Sequence, residues 1–236
     1  MPYCEHPELA TASDVAKIWR YLTLGKFLYL LEYQTLHFSA LGDFEDTFEG
    51  TLAGGNYRFP RSGVELVAFN ALRHGVPTFR RSMFVNCWYV SDFESAAMWA
   101  LYSRRDGIAI QTTVGSLRES ISRDSTPVYI GLVRYMDYAS DFIPENNAFH
   151  VALSKRMSFE HEHELRAIVL RLGDDQERAI PLPVKINVDI ARLIEHIAVA
   201  PRSADWFKNL IVSVATRYGI PASIIETSDL DRRPLS

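Results

Sequence analysis

The sequence predicts a single α+β domain built on a mixed, mainly antiparallel sheet flanked by helices. Its 236 residues, 47% hydrophobic, 12% aromatic and 23% charged, are enough for one sizeable globular core and exclude collagen-like, coiled-coil and disordered chains. Strand-like and helix-like periods alternate throughout, in clusters and not as a regular βαβ repeat. No internal repeat or Ser/Gly/Pro-rich linker divides the chain, so 1–236 is expected to be one domain.

The elements follow in order. Thr11 and Asp14 resemble a capping box, and Val15, Ile18, Trp19 and Leu22 follow at helical spacing, predicting a first helix. Leu24, Phe27, Leu28 and Leu31 predict a second helix, and Leu36-His37-Phe38-Ser39 alternates as a strand. A loop rich in Gly, Asp and aromatics spans 42–61. Val64, Val67, Ala68, Ala71 and Leu72 form a helical stripe with Gly75 placed to stop it. Residues 82–90 are rich in strand formers, and Ser91 with Glu94 makes a capping box for a helix carrying Ala97, Met98, Leu101 and Tyr102, turned by Arg105-Asp106-Gly107. Strands are expected at 108–112 and 128–135, and two more at 165–172 and 179–188, joined by Gly173-Asp174-Asp175. A short helix at 189–195, a strand at 196–200, a helix at 203–218 ended by Gly219 and a strand at 223–226 complete the domain.

Charge and cysteine content narrow the function classes. Twenty-five Lys+Arg against 29 Asp+Glu give −4, so no general basic field favours non-specific nucleic-acid binding. Cys4 and Cys87 are too few for a disulfide framework or a cysteine zinc site. The first residues carry Glu5, Glu8 and Asp14 where a signal peptide needs basic and then apolar residues, and no apolar stretch approaches the length of a membrane span. A cytoplasmic protein is expected.

Polar clusters in apolar surroundings are the candidates for chemistry. In Phe159-Glu160-His161-Glu162-His163-Glu164-Leu165-Arg166, a strand beginning by Glu162 would put Glu162, Glu164 and Arg166 on one face and His161, His163 and Leu165 on the other. Two carboxylates held ionised by an Arg suit stabilisation of a developing cation or activation of a hydroxyl, and a solvated charged edge is the plainer reading. The His161/His163 pair lacks a third strong ligand nearby, so a metal site is not expected. In Phe44-Glu45-Asp46-Thr47-Phe48-Glu49-Gly50 two Phe anchors would fix Asp46 and Glu49. Ser95, Trp99 and Tyr102 share a helix face, where aromatics are more often core than cofactor box. Cys87, in an apolar segment with no paired His, reads as a buried inert thiol.

Taken in order, Trp19-Arg20-Tyr21-Leu22, Leu36–Ser39 with Phe44–Gly50, Cys87-Trp88, Glu94-Ser95, Met98–Tyr102, Gly107–Ile110, Lys155, Phe159 and Glu162-x-Glu164-x-Arg166 resemble the bacterial family called domain of unknown function 2971. The resemblance spans about 19–170, with 171–236 expected to complete the same domain. It departs at Glu45, Thr47 and Phe159, where the family has Asn, Pro and often Trp. An early Arg, a Ser-bearing strand and a late Glu-x-Glu also resemble, in motif order, the ADP-ribosyltransferases. That resemblance implies NAD as cofactor, Arg20 gripping its phosphate or ribose, and Glu164 steadying the ribosyl cation as nicotinamide leaves. It further implies Glu162 activating the acceptor, and Tyr21, Ser39, Trp99, Tyr102 and Arg166 around the nucleotide, with Asp46 and Glu49 in the same cleft. An ADP-ribosyltransferase-like enzyme or NAD glycohydrolase of a bacterial defence or toxin-antitoxin system is thus expected, with a protein or nucleic-acid acceptor. Two alternatives stay open: a nuclease or phosphodiesterase using Asp46, Glu49, Glu162, Glu164 and Lys155 around a divalent cation, and a non-catalytic partner-binding module.

Overall fold

The computed structural model describes residues 3–103, 106–121, 124–171 and 183–234. The chain opens with β1 (Lys17–Thr23), α1 (Leu24–Tyr33) and β2 (Thr35–Ala40), followed by α2 (Gly54–Arg58), α3 (Gly63–Ser82) and β3 (Met83–Val90). Next come α4 (Ala96–Tyr102), β4 (Gly107–Thr113), α5 (Val114–Ser120), β5 (Tyr129–Leu132) and β6 (Arg134–Met136). After α6 (Phe149–Ala152), β7 (Ser154–Arg156) and β8 (Glu164–Leu170), the chain ends with β9 (Val184–Asn187), α7 (Ile190–Leu193), β10 (His196–Val199), α8 (Asp205–Arg217) and β11 (Ile225–Thr227).

Nine strands form a mixed sheet in the order β11-β10-β4-β1-β3-β2-β9, with β8 also on β3 and β5 on β8. Its pairings are antiparallel except β10 with β11. Burial drives the layering. On one face Ile18, Leu22, Phe38, Phe84, Trp88, Ile110 and Val169 pack under α1, α5, α7 and α8 through Phe27, Leu117, Leu193, Phe207 and Ile211. The other face holds two smaller cores, one around Val85, Ile168 and Phe149, the other around Trp19, Tyr21, Met98 and Trp99. This is the predicted α+β arrangement.

Several local expectations are corrected. The segment read as a first helix is β1: Ile18, Trp19, Tyr21 and Leu22 are all buried, as in a central strand covered on both faces, and such a run mimics helical spacing. Gly75 does not stop α3, which runs through Gly75 and Pro77 to Ser82. A Cβ at Gly75 would lie 3.0 Å from the Phe79 ring, so this glycine admits a close aromatic contact. Within α3 the buried residue is Phe69, while Val64 and Val67 are exposed.

The helix α4 is capped by Ser95, whose Oγ accepts from the Met98 N–H at 3.3 Å, and not by Ser91. Glu94 instead accepts from Trp99 Nε1, from the Ser228 hydroxyl and from the Asp229 N–H. The single strand expected at 128–135 is two, since the Val133 N–H turns to Glu164 O and β6 pairs in parallel with β7 in a separate ribbon. No hairpin joins β8 to β9: β8 lies between β3 and β5, and β9 on β2. Leu172, the turn at 173–175 and the start of the last-named strand lie outside the described residues, as does Arg105 of the earlier turn.

One irregularity positions the site. Along one edge β3 pairs with β8 throughout, but the opposite edge is shared, β1 pairing at Tyr89 and Val90 and β2 at Phe84 and Val85. Between them Asn86, Cys87 and Trp88 face a fork where β1 and β2 part and α1 bridges their ends. The fork is held by side chains: Asn86 Nδ2 donates to His37 O at 2.8 Å, and Arg20 Nη1 donates to Cys87 O at 2.6 Å.

Candidate functional site

The site is a buried charge cluster on the face of β8 that carries Glu164 and Arg166. Arg166 is fully buried, and all five of its N–H groups find acceptors. Nε and Nη2 donate to Glu164 at 2.9 and 3.0 Å, Nη1 and Nη2 to Glu49 at 3.0 Å each, and Nη1 to Ala152 O at 2.6 Å. Lys155 Nζ meets three carboxylates: Glu162, Glu164 at 3.2 Å and Glu49 at 3.3 Å, with the Phe159 ring 4.9 Å away. Such a network is tolerable in a core only because every ion is paired and hydrogen-bonded.

The loop before α2 delivers Glu49 by identifiable means. Asp46 Oδ1 accepts from the Phe48 N–H at 3.1 Å, and the Glu49 N–H donates to Asp46 O at 3.0 Å, closing a turn. Gly50 follows at φ 71, where a Cβ would meet Arg80 Cγ at 2.9 Å. Arg156 grips Asp46 through Nε at 3.0 Å and Nη2 at 2.9 Å and lies over the Phe48 ring, and Phe44 lies 5.6 Å from the Arg166 guanidinium. The two Phe anchors read from the sequence thus hold the acidic loop on the cluster.

Glu162 arrives differently from expectation. It ends a 3-10 turn, Met157–Glu162, and His163 follows in the left-handed region before β8 begins at Glu164. The reversal carries Glu162 onto the same cluster, with His161 and His163 exposed. Glu162 Oε1 accepts from Tyr102 OH at 2.8 Å, and Tyr102 is 47% exposed, so Glu162 marks the rim of the cluster.

The charges are strongly coupled. Burial raises the Glu164 carboxyl, but Arg166 and Lys155 overcome this and hold it down to about 2. Burial lowers the Lys155 ammonium, and Glu164, Glu49 and Glu162 more than restore it. Burial, then Glu162, raise Tyr102, and burial, then Glu164, raise the Cys87 thiol, keeping it protonated and inert.

The predicted residues divide into groups. Glu49, Glu162, Glu164, Arg166 and Tyr102 converge, with Asp46 beside them closing the turn that carries Glu49. Arg20 sits half-buried at the fork, 5.8 Å from the Trp88 ring, where burial lowers its guanidinium and the Glu164 carboxylate pulls the other way. Ser39 is exposed on β2, paired with Val85. Tyr21 and Trp99 lie apart, packed edge to face at 5.0 Å in the small core under α4. Tyr21 OH accepts from the Ser95 N–H and Trp99 Nε1 donates to Glu94, which are scaffold bonds. Tyr135, whose OH accepts from the Glu164 N–H at 2.8 Å, was hidden from sequence reasoning, and Lys155, grouped with these carboxylates around a divalent cation in the nuclease alternative, stands among them as their counter-ion. The only signal for Tyr135 is one aromatic on a three-residue strand with no useful periodicity.

No family model and no curated protein sequence matches the chain, so the likeness to domain of unknown function 2971 remains a resemblance of motifs. Among solved structures the chain is similar to Thermus sp. 2.9 DarT in complex with carba-NAD+, at 10% identity and a TM-score of 0.43, over 93% of this chain and 98% of that one. For the same protein in complex with ADP-ribosylated ssDNA the values are 9% and 0.45, over 94% and 98%. Likenesses of this size leave function to be argued from the residues. No described helix is long and apolar enough to cross a membrane.

Proposed function

We propose that the chain is an ADP-ribosyltransferase-like enzyme or NAD glycohydrolase, cleaving the bond between nicotinamide and ribose. The observation that carries the reading is the make-up of the cluster: among the described residues three carboxylates, Glu49, Glu162 and Glu164, form direct ion pairs with two cations, Lys155 and Arg166, an excess of one carboxylate within the contact network. A preorganised excess of negative charge in a dry site suits a transition state in which positive charge develops on ribose. Arg20 makes a single hydrogen bond among the described residues, to Cys87 O, so its remaining donors are available to a phosphate or ribose hydroxyl.

In this reading the glycosidic C–N bond breaks and its electron pair leaves with neutral nicotinamide. Glu164, held in place by Arg166 and Lys155, steadies the ribosyl cation. Glu162, at the rim beside Tyr102, takes the proton of the attacking acceptor group or water. A protein or nucleic-acid acceptor, and a place in a bacterial defence or toxin-antitoxin system, belong to the same proposal. The nuclease alternative is less favoured because Lys155 occupies the centre of the carboxylates that a divalent cation would need. Calorimetric titration of the purified protein with NAD tests the reading: saturable binding with a raised melting temperature is expected, and Arg20→Ala should weaken it roughly tenfold or more. Absence of NAD binding, with Mg²⁺- or Mn²⁺-dependent cleavage of nucleic acid by the same preparation, would establish the nuclease instead.

A further inference from the structure

The fork holds two buried polar atoms that the proposed chemistry does not use. Asn86 Oδ1 and Trp88 Nε1 have no hydrogen-bond partner among the described residues, and both side chains are 1% exposed. They stand two residues apart on one face of β3, in the stretch that neither β1 nor β2 covers. The Asn86 amide is not free to turn: its Nδ2 already donates to His37 O, which leaves Oδ1 as an unfilled acceptor. Indole Nε1 is only a donor. Buried groups of this kind are ordinarily satisfied, and an unsatisfied donor and acceptor two residues apart on one strand face ask for a ligand with complementary groups.

We infer that the wedge between β1 and β2 takes the polar edge of a planar ring, which donates an N–H to Asn86 Oδ1 and accepts from Trp88 Nε1. The inference rests on the NAD reading, in which the nicotinamide carboxamide and the adenine edge are the two sources of that donor-acceptor pair. The Arg20 guanidinium lies 5.8 Å from the Trp88 ring and donates to Cys87 O, so in this inference entry of the ring moves Arg20 off that carbonyl. That movement links occupation of the wedge to the arginine proposed to grip the phosphates.

The test is calorimetric titration of wild type, Trp88→Phe and Asn86→Ala with NAD, nicotinamide and AMP. Trp88→Phe keeps an apolar ring and removes the donor, so it carries the test should Asn86→Ala fail to fold. The expected result is NAD affinity lowered about five- to tenfold, the worth of one hydrogen bond, with selective loss for one fragment. Loss for nicotinamide alone places the carboxamide in the wedge, and loss for AMP alone places adenine there. A scaffold role would lower the melting temperature and weaken both fragments alike. Equal weakening, or unchanged NAD affinity in both variants, overturns the inference while leaving NAD cleavage standing. Failure of wild type to bind NAD at all overturns the underlying reading as well.

Discussion

Glu164 ties the stability of the buried cluster to the chemistry proposed for it. It accepts from Arg166 and Lys155, and each cation keeps a second carboxylate: Glu49 for Arg166, and Glu49 with Glu162 for Lys155. Glu164→Gln therefore leaves no buried cation without an acid, and the fold should survive at a cost of about 1–3 kcal/mol. The sign of its pH dependence follows from the depressed carboxyl. Its folded value is about 2 against an ordinary 4.5, so its stabilisation is complete above pH 4.5 and is lost as the pH falls toward 2. Denaturant midpoints measured from about pH 6 down to about pH 3 should fall more steeply in wild type than in Glu164→Gln. Parallel slopes would show that the carboxylate is not held ionised by its neighbours.

At the scale of elements, short segments with dedicated caps and anchors place the site. The seven-residue α4 carries Tyr102 to Glu162 and depends on its Ser95 cap. Ser95→Ala should cost about 1 kcal/mol. It should also loosen the Tyr102–Glu162 bond, visible as faster amide exchange across 96–102 than in wild type, and unchanged exchange there would assign the positioning of Tyr102 to the core around Trp99. The errors of sequence reading belong to this scale too. Ile18–Leu22 is apolar on both faces, so its spacing fits helix and central strand equally until the neighbouring β4 and β3 are known. Ser91 and Glu94 satisfy the spacing of a capping box, but the Trp99 indole and the Ser228 hydroxyl claim the Glu94 carboxylate from afar in sequence. The strands at β2, β3, β4 and β10 were legible because alternation or β-branched content is local.

For the whole molecule, the α+β class could be read from composition and alternating periods, whereas the branched order of the sheet could not. Pairing of β8 with β3 and of β9 with β2 is a matter of long-range register. Much of the site was legible as chemistry, since Asp46, Glu49, Glu162, Glu164 and Arg166 stand in two dense acidic and basic segments. Lys155 was grouped with these carboxylates from the sequence, but not as the cation at their centre, since a 3-10 turn separates it from Glu162 and Glu164 and Glu49 comes from a distant loop. In the proposed function this cluster breaks the nicotinamide-ribose bond. Its most direct test is the rate of nicotinamide release from NAD by purified wild type beside folded Glu164→Gln, with candidate protein and nucleic-acid acceptors present. Wild type should release nicotinamide, and the variant about 100- to 1,000-fold more slowly, the usual worth of one preorganised electrostatic contact. No release by wild type, or equal rates in the two proteins, would contradict it.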